Sequence, residues 1–187
     1  HTFIRPNKLR ERFMDSSQSD FSPVTIVETT FGTGLDFLVA LLTWQQCPTP
    51  KRNLHFISIE KHPLNRTDIE RALRNWPQLD ELSAELLRQY PPITAGCHLL
   101  SFYDGKVTLM LIYGDLKTDL ECYSFTADAW FLSGFSPNRN PEMWSNDFFS
   151  LMAKRSTTGT TFSTFTSESG VQHELLNSGF EVSKQSG

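Results

Sequence analysis

The feature that most constrains the fold is a short apolar run that leads into a glycine turn. Val24 to Val27 is mainly β-branched, a composition typical of a buried strand. Glu28 ends the run, Gly32 and Gly34 follow, and the apolar stretch from Leu35 to Trp44 predicts a helix. Strand, glycine turn and helix form the ligand-cradling unit of doubly wound α/β folds. In that unit glycine lets the backbone approach a ligand, and the helix N-terminus presents free N–H groups.

Two details of this turn narrow the choice of ligand. The dinucleotide fingerprint requires a third glycine at the position of Phe37, so a nicotinamide-dependent oxidoreductase is disfavoured. An acidic residue directly after the strand suits S-adenosyl-L-methionine, which has no pyrophosphate and whose positive end Glu28 can face. A lone Gly-x-Gly is a weak signal, and a tight turn without a ligand is the commoner explanation. The rest of the chain must therefore decide.

The composition is that of a globular protein. The 187 residues are 39% hydrophobic and 20% charged, with a formal net charge of −4. This charge does not indicate a nucleic-acid-binding protein, although it does not exclude a local basic patch. The three cysteines form no Cys-x-x-Cys pair, which favours a reducing cytoplasm. No apolar stretch approaches the roughly 18 residues of a membrane span, and no metal site is predicted.

The second predicted strand supplies another acidic residue at its tip. Leu54 to Ile59 is apolar and β-branched, and Glu60 follows it directly. A carboxylate at this point can accept both hydroxyls of a ligand ribose. The alternative is that Glu60 caps the following helix or pairs with Lys61. Taken together with the glycine turn, the sequence favours the ribose role.

A hairpin and a third acidic residue come next. His98 to Tyr103 and Lys106 to Tyr113 flank Asp104-Gly105, the strongest short hairpin signal in the chain. The second arm runs on to Asp115, at a point where an adenine amino group is often bound. An Asp in an ordinary turn has the same appearance, so both interpretations stay open here.

Strands and helices alternate along the remaining chain, which predicts a mainly parallel sheet with helices on both faces. The predicted strand Ala127 to Leu132 leads into a loop from Ser133 to Trp144 that contains two prolines. Loops at the carboxyl ends of parallel strands carry the chemistry in this architecture. Further predicted elements are helices over Leu64–Trp76, Leu79–Tyr90, Phe148–Lys154 and Val171–Ser178, and strands over Thr160–Phe165 and from Phe180 to Ser183.

The segment from His1 to Phe13 mixes apolar residues with four basic ones, Arg5, Lys8, Arg10 and Arg12. We favour an amphipathic segment that packs on the edge of the domain, because runs of charge usually face water. The alternative is a basic lip for a phosphate-bearing substrate.

Four motifs together resemble a known family. They are Phe31-Gly32-Thr33-Gly34-Leu35, Ser58-Ile59-Glu60-Lys61, Ala129-Trp130-Phe131-Leu132 and Asn140-Pro141-Glu142-Met143-Trp144. In this order and spacing they resemble the methyltransferase domain of the bifunctional tRNA 5-methylaminomethyl-2-thiouridine biosynthesis proteins, the MnmC family. The resemblance covers nearly the whole chain and does not extend to the family's FAD-dependent oxidase half. We therefore expect residues 1–187 to form a single stand-alone methyltransferase domain that is incomplete at both ends.

The resemblance implies a Rossmann-like α/β fold and S-adenosyl-L-methionine as cofactor. The implied acceptor is the amine of 5-aminomethyl-(2-thio)uridine at the wobble position of tRNA. The implied cofactor-binding residues are Glu28, Phe31, Gly32, Gly34, Asp36, Glu60, Lys61, Asp115, Gly134 and Phe135. The resemblance also implies a catalytic position at Ser133 and substrate binding by Arg139, Asn140 and Trp144. It implies neither a metal nor a membrane, and it leaves the oligomeric state open.

Three positions depart from the family's pattern. Thr30 and Asp36 stand where the turn has Gly and Asn, and Ser133 stands where the loop has Asp. Thr30 would crowd the ligand if the backbone there required a positive φ. Ser133 removes a carboxylate from the position nearest the reacting amine. The leading hypothesis is a tRNA methyltransferase, and the alternative is a cofactor- or tRNA-binding homologue with weakened catalysis.

Overall fold

The structure is a computed structural model, and it describes residues 2–17, 22–134, 136–137 and 139–184. Within these ranges six strands form one sheet in the order β3-β4-β2-β1-β5-β6. The strands are β1 (Val24–Glu28), β2 (Leu54–Glu60), β3 (Gly96–Phe102), β4 (Val107–Tyr113), β5 (Ala127–Leu132) and β6 (Ser156–Thr164). Only the β3–β4 hairpin is antiparallel among the pairs of this sheet, so the predicted mainly parallel α/β fold is confirmed.

Seven α-helices accompany the sheet in the described part of the chain. They are α1 (Leu9–Met14), α2 (Leu35–Gln45), α3 (Arg66–Leu73), α4 (Asp80–Gln89), α5 (Leu116–Cys122), α6 (Asn146–Lys154) and α7 (Ser169–Asn177). Two 3₁₀ turns, Pro77–Leu79 and Pro141–Trp144, each begin at a proline, whose fixed φ suits the first position of a helix. In the ranges that the structure describes, no helix is both long and apolar enough to cross a membrane.

The sheet separates two hydrophobic cores. Side chains alternate along β5, so Phe131 packs on one face with Phe37 and Phe56, whereas Trp130 packs on the other with Phe148. The first core lies under α1 to α4 and the second under α5 to α7. Burial on both faces explains why the central strands are continuous apolar runs rather than alternating ones.

The amino-terminal segment packs on the edge of the domain, as its amphipathic pattern predicts. Phe3, Leu9 and Phe13 are buried in the first core. Arg12 joins the neighbouring strands β5 and β6. Its side chain donates to the Gly159 carbonyl of β6 at 2.7 Å and lies 3.6 Å from Asp128 of β5. Arg12 therefore has a structural role and is not available to a phosphate.

The end of the described chain corrects one prediction. The strand expected from Phe180 to Ser183 is wrong, because residues 180–184 form no regular secondary structure. Phe180 instead packs edge-on against Phe162 of β6, with ring centroids 5.6 Å apart. Its apolar character is therefore satisfied by packing and not by strand pairing. The strand predicted over Thr160–Phe165 is longer at its start and ends one residue earlier, at Thr164.

Candidate active site

The candidate site lies where three parallel strands end. Glu28 is the last residue of β1, Glu60 is the last residue of β2, and Ser133 follows β5 directly. Because β1 pairs in parallel with both β2 and β5, the three side chains reach the same edge of the sheet. All three are buried, with 1%, 7% and 6% of their surface exposed. The sequence predicted each of the three residues at the end of a strand, and the parallel pairing brings these ends together.

Glu28 lies at the centre of the buried polar group. Ser58 donates a hydrogen bond to its Oε2 at 2.7 Å, and Ser133 donates to its Oε1 at 3.4 Å. Burial, and then the negative charge of Asp36, raise the pKa of Glu28 well above its usual value. Burial also raises the pKa of Asp36, whose carboxyl is hydrogen-bonded to Glu28. Two neighbouring carboxyls out of water are most stable when they hold a proton, so this pair can retain one.

The carboxylate of Glu60 ties the glycine turn to β2. Its Oε2 accepts from Thr30 Oγ1 at 2.8 Å and from the Gly32 amide at 2.9 Å, while Oε1 accepts from the His62 amide at 2.8 Å. The two alternatives that the sequence left open are not what the structure shows. Asn65 caps α3 instead of Glu60, and Lys61 pairs with Asp115. Glu60 is thus a positioned acceptor at the strand tip.

The glycine turn is open on one side. Gly32 and Gly34 have φ values of 53° and 77°, a conformation that glycine adopts without strain. A Cβ on Gly34 would lie 2.7 Å from Phe31 Cζ, so packing alone requires glycine there. A Cβ on Gly32 would meet no atom of the described residues within 4 Å. The backbone at Gly32 is therefore accessible to a bound molecule, and the residues present fit a nucleoside-bearing cofactor.

Thr30 contacts both Glu60 and Ser133 without backbone strain. The backbone φ of Thr30 is not positive, so the crowding that a left-handed backbone would cause does not arise. Its carbonyl accepts from Ser133 Oγ at 3.2 Å. A Cβ on Gly134, whose φ is +125°, would lie 3.1 Å from Thr30 Cγ2 and 3.0 Å from Met143 Cε. Glycine at 134 thus allows the loop after β5 to approach Thr30.

Asp115 and Lys61 form an exposed cluster beside this group. Asp115 Oδ1 accepts from the Lys117 and Thr118 amides at 3.1 and 3.4 Å and caps α5. Its Oδ2 accepts from Lys61 Nζ at 3.0 Å, and this bond is the main reason that the pKa of Asp115 is lowered. Lys61 also lies 3.7 Å from Glu142. Capping of α5 is thus one role of the Asp115 side chain. Its contact with the adenine of a cofactor stays a prediction.

The other predicted site residues are placed less uniformly. Phe31 and Trp144 are buried, at 3% and 8% exposure, and both pack in the cores. Arg139 is exposed on the loop after β5, while the Asn140 amide lies 3.9 Å from Met143 Sδ. Phe135 lies outside the described residues. Arg139 thus lies at the surface and Phe31 and Trp144 lie in the cores, while the predicted contacts of all three with cofactor or substrate stay predictions.

Two site residues were not singled out from the sequence. Ser58 holds Glu28, and Thr29 Oγ1 donates to the Ser133 carbonyl at 2.6 Å. Ser58 stands between two isoleucines just before the acidic tip of β2, and that contrast was a usable signal. Nothing local in the sequence marks Thr29, because its partner is distant in the chain.

Comparison with known proteins identifies the family of this fold. The model of a family described as S-adenosyl-L-methionine-dependent methyltransferase matches residues 77–187, more than half of the chain. The chain belongs to this methyltransferase family. The match begins after the glycine turn, so it does not cover Glu28 or Glu60.

Longer alignments cover those residues of the methyltransferase. The tRNA 5-methylaminomethyl-2-thiouridine biosynthesis bifunctional protein MnmC of Methylobacillus flagellatus is 48% identical over 187 residues, which are 100% of this chain and 28% of that protein. The MnmC protein of Hahella chejuensis is 44% identical, over 100% of this chain and 30% of its own length. The chain thus spans less than a third of these relatives.

A solved structure supports the same fold for the methyltransferase. The crystal structure of MNMC2 from Aquifex aeolicus superposes with a TM-score of 0.76 and 26% identity, covering 97% of this chain and 54% of that chain. The Rossmann-like fold and the MnmC-like resemblance predicted from the sequence are therefore confirmed.

Proposed function

We propose that this methyltransferase binds S-adenosylmethionine at the carboxyl edge of its sheet and methylates the amine of 5-aminomethyl-(2-thio)uridine at the wobble position of tRNA. The observation that carries the proposal is the meeting of Glu28, Glu60 and Ser133 beside the open glycine turn. Similarity to bifunctional proteins of tRNA 5-methylaminomethyl-2-thiouridine biosynthesis supports the choice of acceptor.

Glu60 would hold the ribose of the cofactor. A carboxylate has about four lone-pair positions, and Thr30, Gly32 and His62 already donate to its two oxygens. One position is therefore free, whereas two ribose hydroxyls need two. The Thr30 hydroxyl can rotate away, unlike the two backbone amides, so cofactor binding would release that bond. The adenine would lie toward Asp115 and the methionine end toward Gly32 and Gly34.

Ser133 and Glu28 would prepare the acceptor. Bound S-adenosylmethionine supplies an activated methyl group, so the protein mainly aligns a neutral amine, and alignment alone can contribute roughly 7–11 kcal/mol. An alkylammonium has no lone pair and must first lose a proton. Ser133 would orient the amine, and the pair of Glu28 and Asp36, whose Glu28 Oε1 lies 3.4 Å from Ser133 Oγ, would take up that proton. The pair retains one proton and one negative charge, and burial, which raises the pKa of both carboxyls, makes the remaining carboxylate a stronger base.

A second function is favoured by one observation. The single proton of the Ser133 hydroxyl lies within reach of two acceptors in the protein, Glu28 Oε1 at 3.4 Å and the Thr30 carbonyl at 3.2 Å. A hydroxyl held in this way is less available to the amine that receives the methyl group than the Asp of the family pattern would be. The second candidate is therefore a homologue that binds cofactor or tRNA with weakened turnover.

Two measurements separate these functions. Calorimetric titration with S-adenosylhomocysteine should show binding, and titration with NAD should show none. Labelled methyl groups should then be incorporated into tRNA that carries 5-aminomethyluridine, but not into fully modified tRNA. Cofactor binding without incorporation would select the weakened homologue. Failure to bind S-adenosylhomocysteine would contradict both candidates.

A further inference from the structure

An exposed aromatic side chain stands beside the proposed reaction centre. Phe165 follows β6 directly, and the parallel register pairs Leu132 of β5 with Thr164 of β6. Ser133 and Phe165 are therefore the next residues on neighbouring strands, and such strands lie about 4.8 Å apart. Side chains two residues apart on a strand share a face, so Ser133 projects from the same face as Phe131 and Phe165 from the same face as Ser163.

The ring of Phe165 is exposed to solvent, but one side of it packs against a buried ring. It is 68% exposed, whereas Phe3, which meets it edge-on at 4.8 Å, is 3% exposed. Phe3 in turn stacks on Phe131 at 4.9 Å. A large apolar ring in water is unfavourable for folding, and here the protein fixes its position through two buried rings. A fixed aromatic face at the edge of a catalytic sheet is suited to stacking.

Positive charge lines the cleft that this ring borders. Phe165 lines an open cleft of about 1610 Å³ along β6, and the charged side chains that also line it are Arg5, Lys8 and Lys184 against Glu181 alone. The chain as a whole has a net charge of −4, so this cleft is more basic than the rest of the molecule. Local positive charge beside an aromatic face is the combination that single-stranded nucleic acid binds.

We propose that Phe165 is a base-stacking residue for the acceptor RNA. Its ring receives the face of a nucleobase next to the methylated uridine, and Arg5 binds the adjoining phosphate. Sequence-tolerant stacking of unpaired bases on aromatic side chains is how proteins hold RNA loops, such as the anticodon loop. This inference rests on the proposed function, because it takes RNA as the acceptor. Among the described strands β6 also lies at an edge of the sheet, where a peptide strand can pair, but the basic lining and the proximity to Ser133 favour RNA.

Affinity for a synthetic anticodon stem–loop with 5-aminomethyluridine at the wobble position tests the proposal in the full chain. Phe165→Leu, which keeps an apolar side chain but removes the ring face, should weaken binding about fivefold to 100-fold. Phe165→Trp should bind as tightly as the parent or more tightly. Leu99→Ala is the matched control, since Leu99 is equally exposed, at 68%, but lies on β3 at the opposite end of the sheet. Affinity for S-adenosylhomocysteine should be unchanged in all three variants.

The outcomes separate this inference from the proposed function. Equal stem–loop affinity for the parent and Phe165→Leu would overturn the inference. So would a Phe165→Leu protein that changes in oligomeric state but not in stem–loop affinity, which would indicate strand pairing between copies of the chain at this edge. If the parent transfers no methyl group but Phe165→Leu still loses stem–loop affinity, the inference stands and the proposed methylation fails.

Discussion

The end of β2 and the end of β5 lie at the same edge of the sheet, yet they are held in different ways. Glu60 accepts three hydrogen bonds, two of them from backbone amides, so its carboxylate has one orientation. Ser133 has one hydroxyl proton to donate, either to Glu28 or to the Thr30 carbonyl, and the loop beyond it approaches Thr30 because residue 134 is glycine. Convergent hydrogen bonds thus fix the end of β2, which we call the cofactor half after its proposed role. The end of β5, the proposed acceptor half, has fewer such bonds, and its proposed chemistry depends on Ser133, which departs from the family's pattern.

The largest effect should come from restoring a carboxylate in the acceptor half. Ser133→Asp should raise the rate of methylation of aminomethyl-uridine tRNA by about 10²-fold or more, because general-base assistance typically contributes 10²–10⁴-fold. Burial of this position should raise the pKa of the new Asp and bring it closer to the working pH. Single-turnover methylation measures this rate.

Ser133→Asn is the control for the Ser133→Asp variant, since it adds a similar volume without a charge. It should stay at or below the parent rate, and neither variant should change cofactor affinity much. An aspartate variant that folds, binds cofactor and methylates no faster than the parent would show that this residue does not limit the reaction.

Cofactor binding should weaken when the Glu60 carboxylate is removed. Glu60→Ala should weaken S-adenosylmethionine binding at least about tenfold, because hydrogen bonds to charged groups contribute roughly 1.5–3 kcal/mol. Glu60→Gln, which keeps the shape and one acceptor oxygen, should lie between the parent and the alanine variant. Calorimetry gives the affinities, and melting temperature shows whether the turn stays folded. Unchanged affinity in a folded alanine variant would rule out the ribose assignment.

A smaller effect should distinguish the two ends of the basic segment. Arg10 lies close to Cys47, because its charge opposes the rise that burial causes in the pKa of the Cys47 thiol. Cys47 follows the carboxyl end of α2, so Arg10 lies at the end of that helix that points away from the site. Arg5 and Arg139 are exposed near the carboxyl edge. Removing either of them should weaken tRNA binding, and each should reduce the slope of log affinity against log salt by about 1.

Arg10→Ala is the matched control for the arginine variants and should leave tRNA affinity and its salt slope unchanged. Filter binding from low to physiological salt measures all four proteins. If tRNA affinity of the parent is flat across this range, phosphate contacts do not hold the complex, and this part of the account fails.

The smallest effect concerns the residue that joins the two halves. Thr30→Val removes the hydroxyl that competes for Glu60 but keeps the methyl group beside Gly134. It should tighten S-adenosylhomocysteine binding about twofold to tenfold, because one hydrogen bond of roughly 0.5–1.5 kcal/mol no longer has to break. Thr30→Ser keeps the hydroxyl and should match the parent. Weaker binding by Thr30→Val would mean that Thr30 orients Glu60 rather than competing for it.

Much of the fold could be predicted because its signals are local. β1, β2 and β5 are mainly apolar runs with a polar residue at the end or directly after it, and Asp104-Gly105 marks the β3–β4 hairpin. Helix α5 was not predicted, since its seven residues carry only a short apolar pattern. The strand from Phe180 was predicted wrongly, because aromatic and β-branched residues also suit packing without pairing.

The site could be predicted only as far as strand ends allow. The positions of Glu28, Glu60 and Ser133 follow from where parallel strands end. The bond from Thr30 to Glu60 and the burial of Trp144 do not, because each depends on residues brought together by the tertiary fold.

The most direct measurement of the central claim is methyl transfer by the full chain to tRNA that carries 5-aminomethyl-2-thiouridine, followed by nucleoside analysis. The account predicts that the label appears in 5-methylaminomethyl-2-thiouridine at the wobble position, and that Glu60→Ala reduces its rate of formation at limiting cofactor. Bound cofactor with no labelled wobble nucleoside, or label at another nucleoside, would contradict the account.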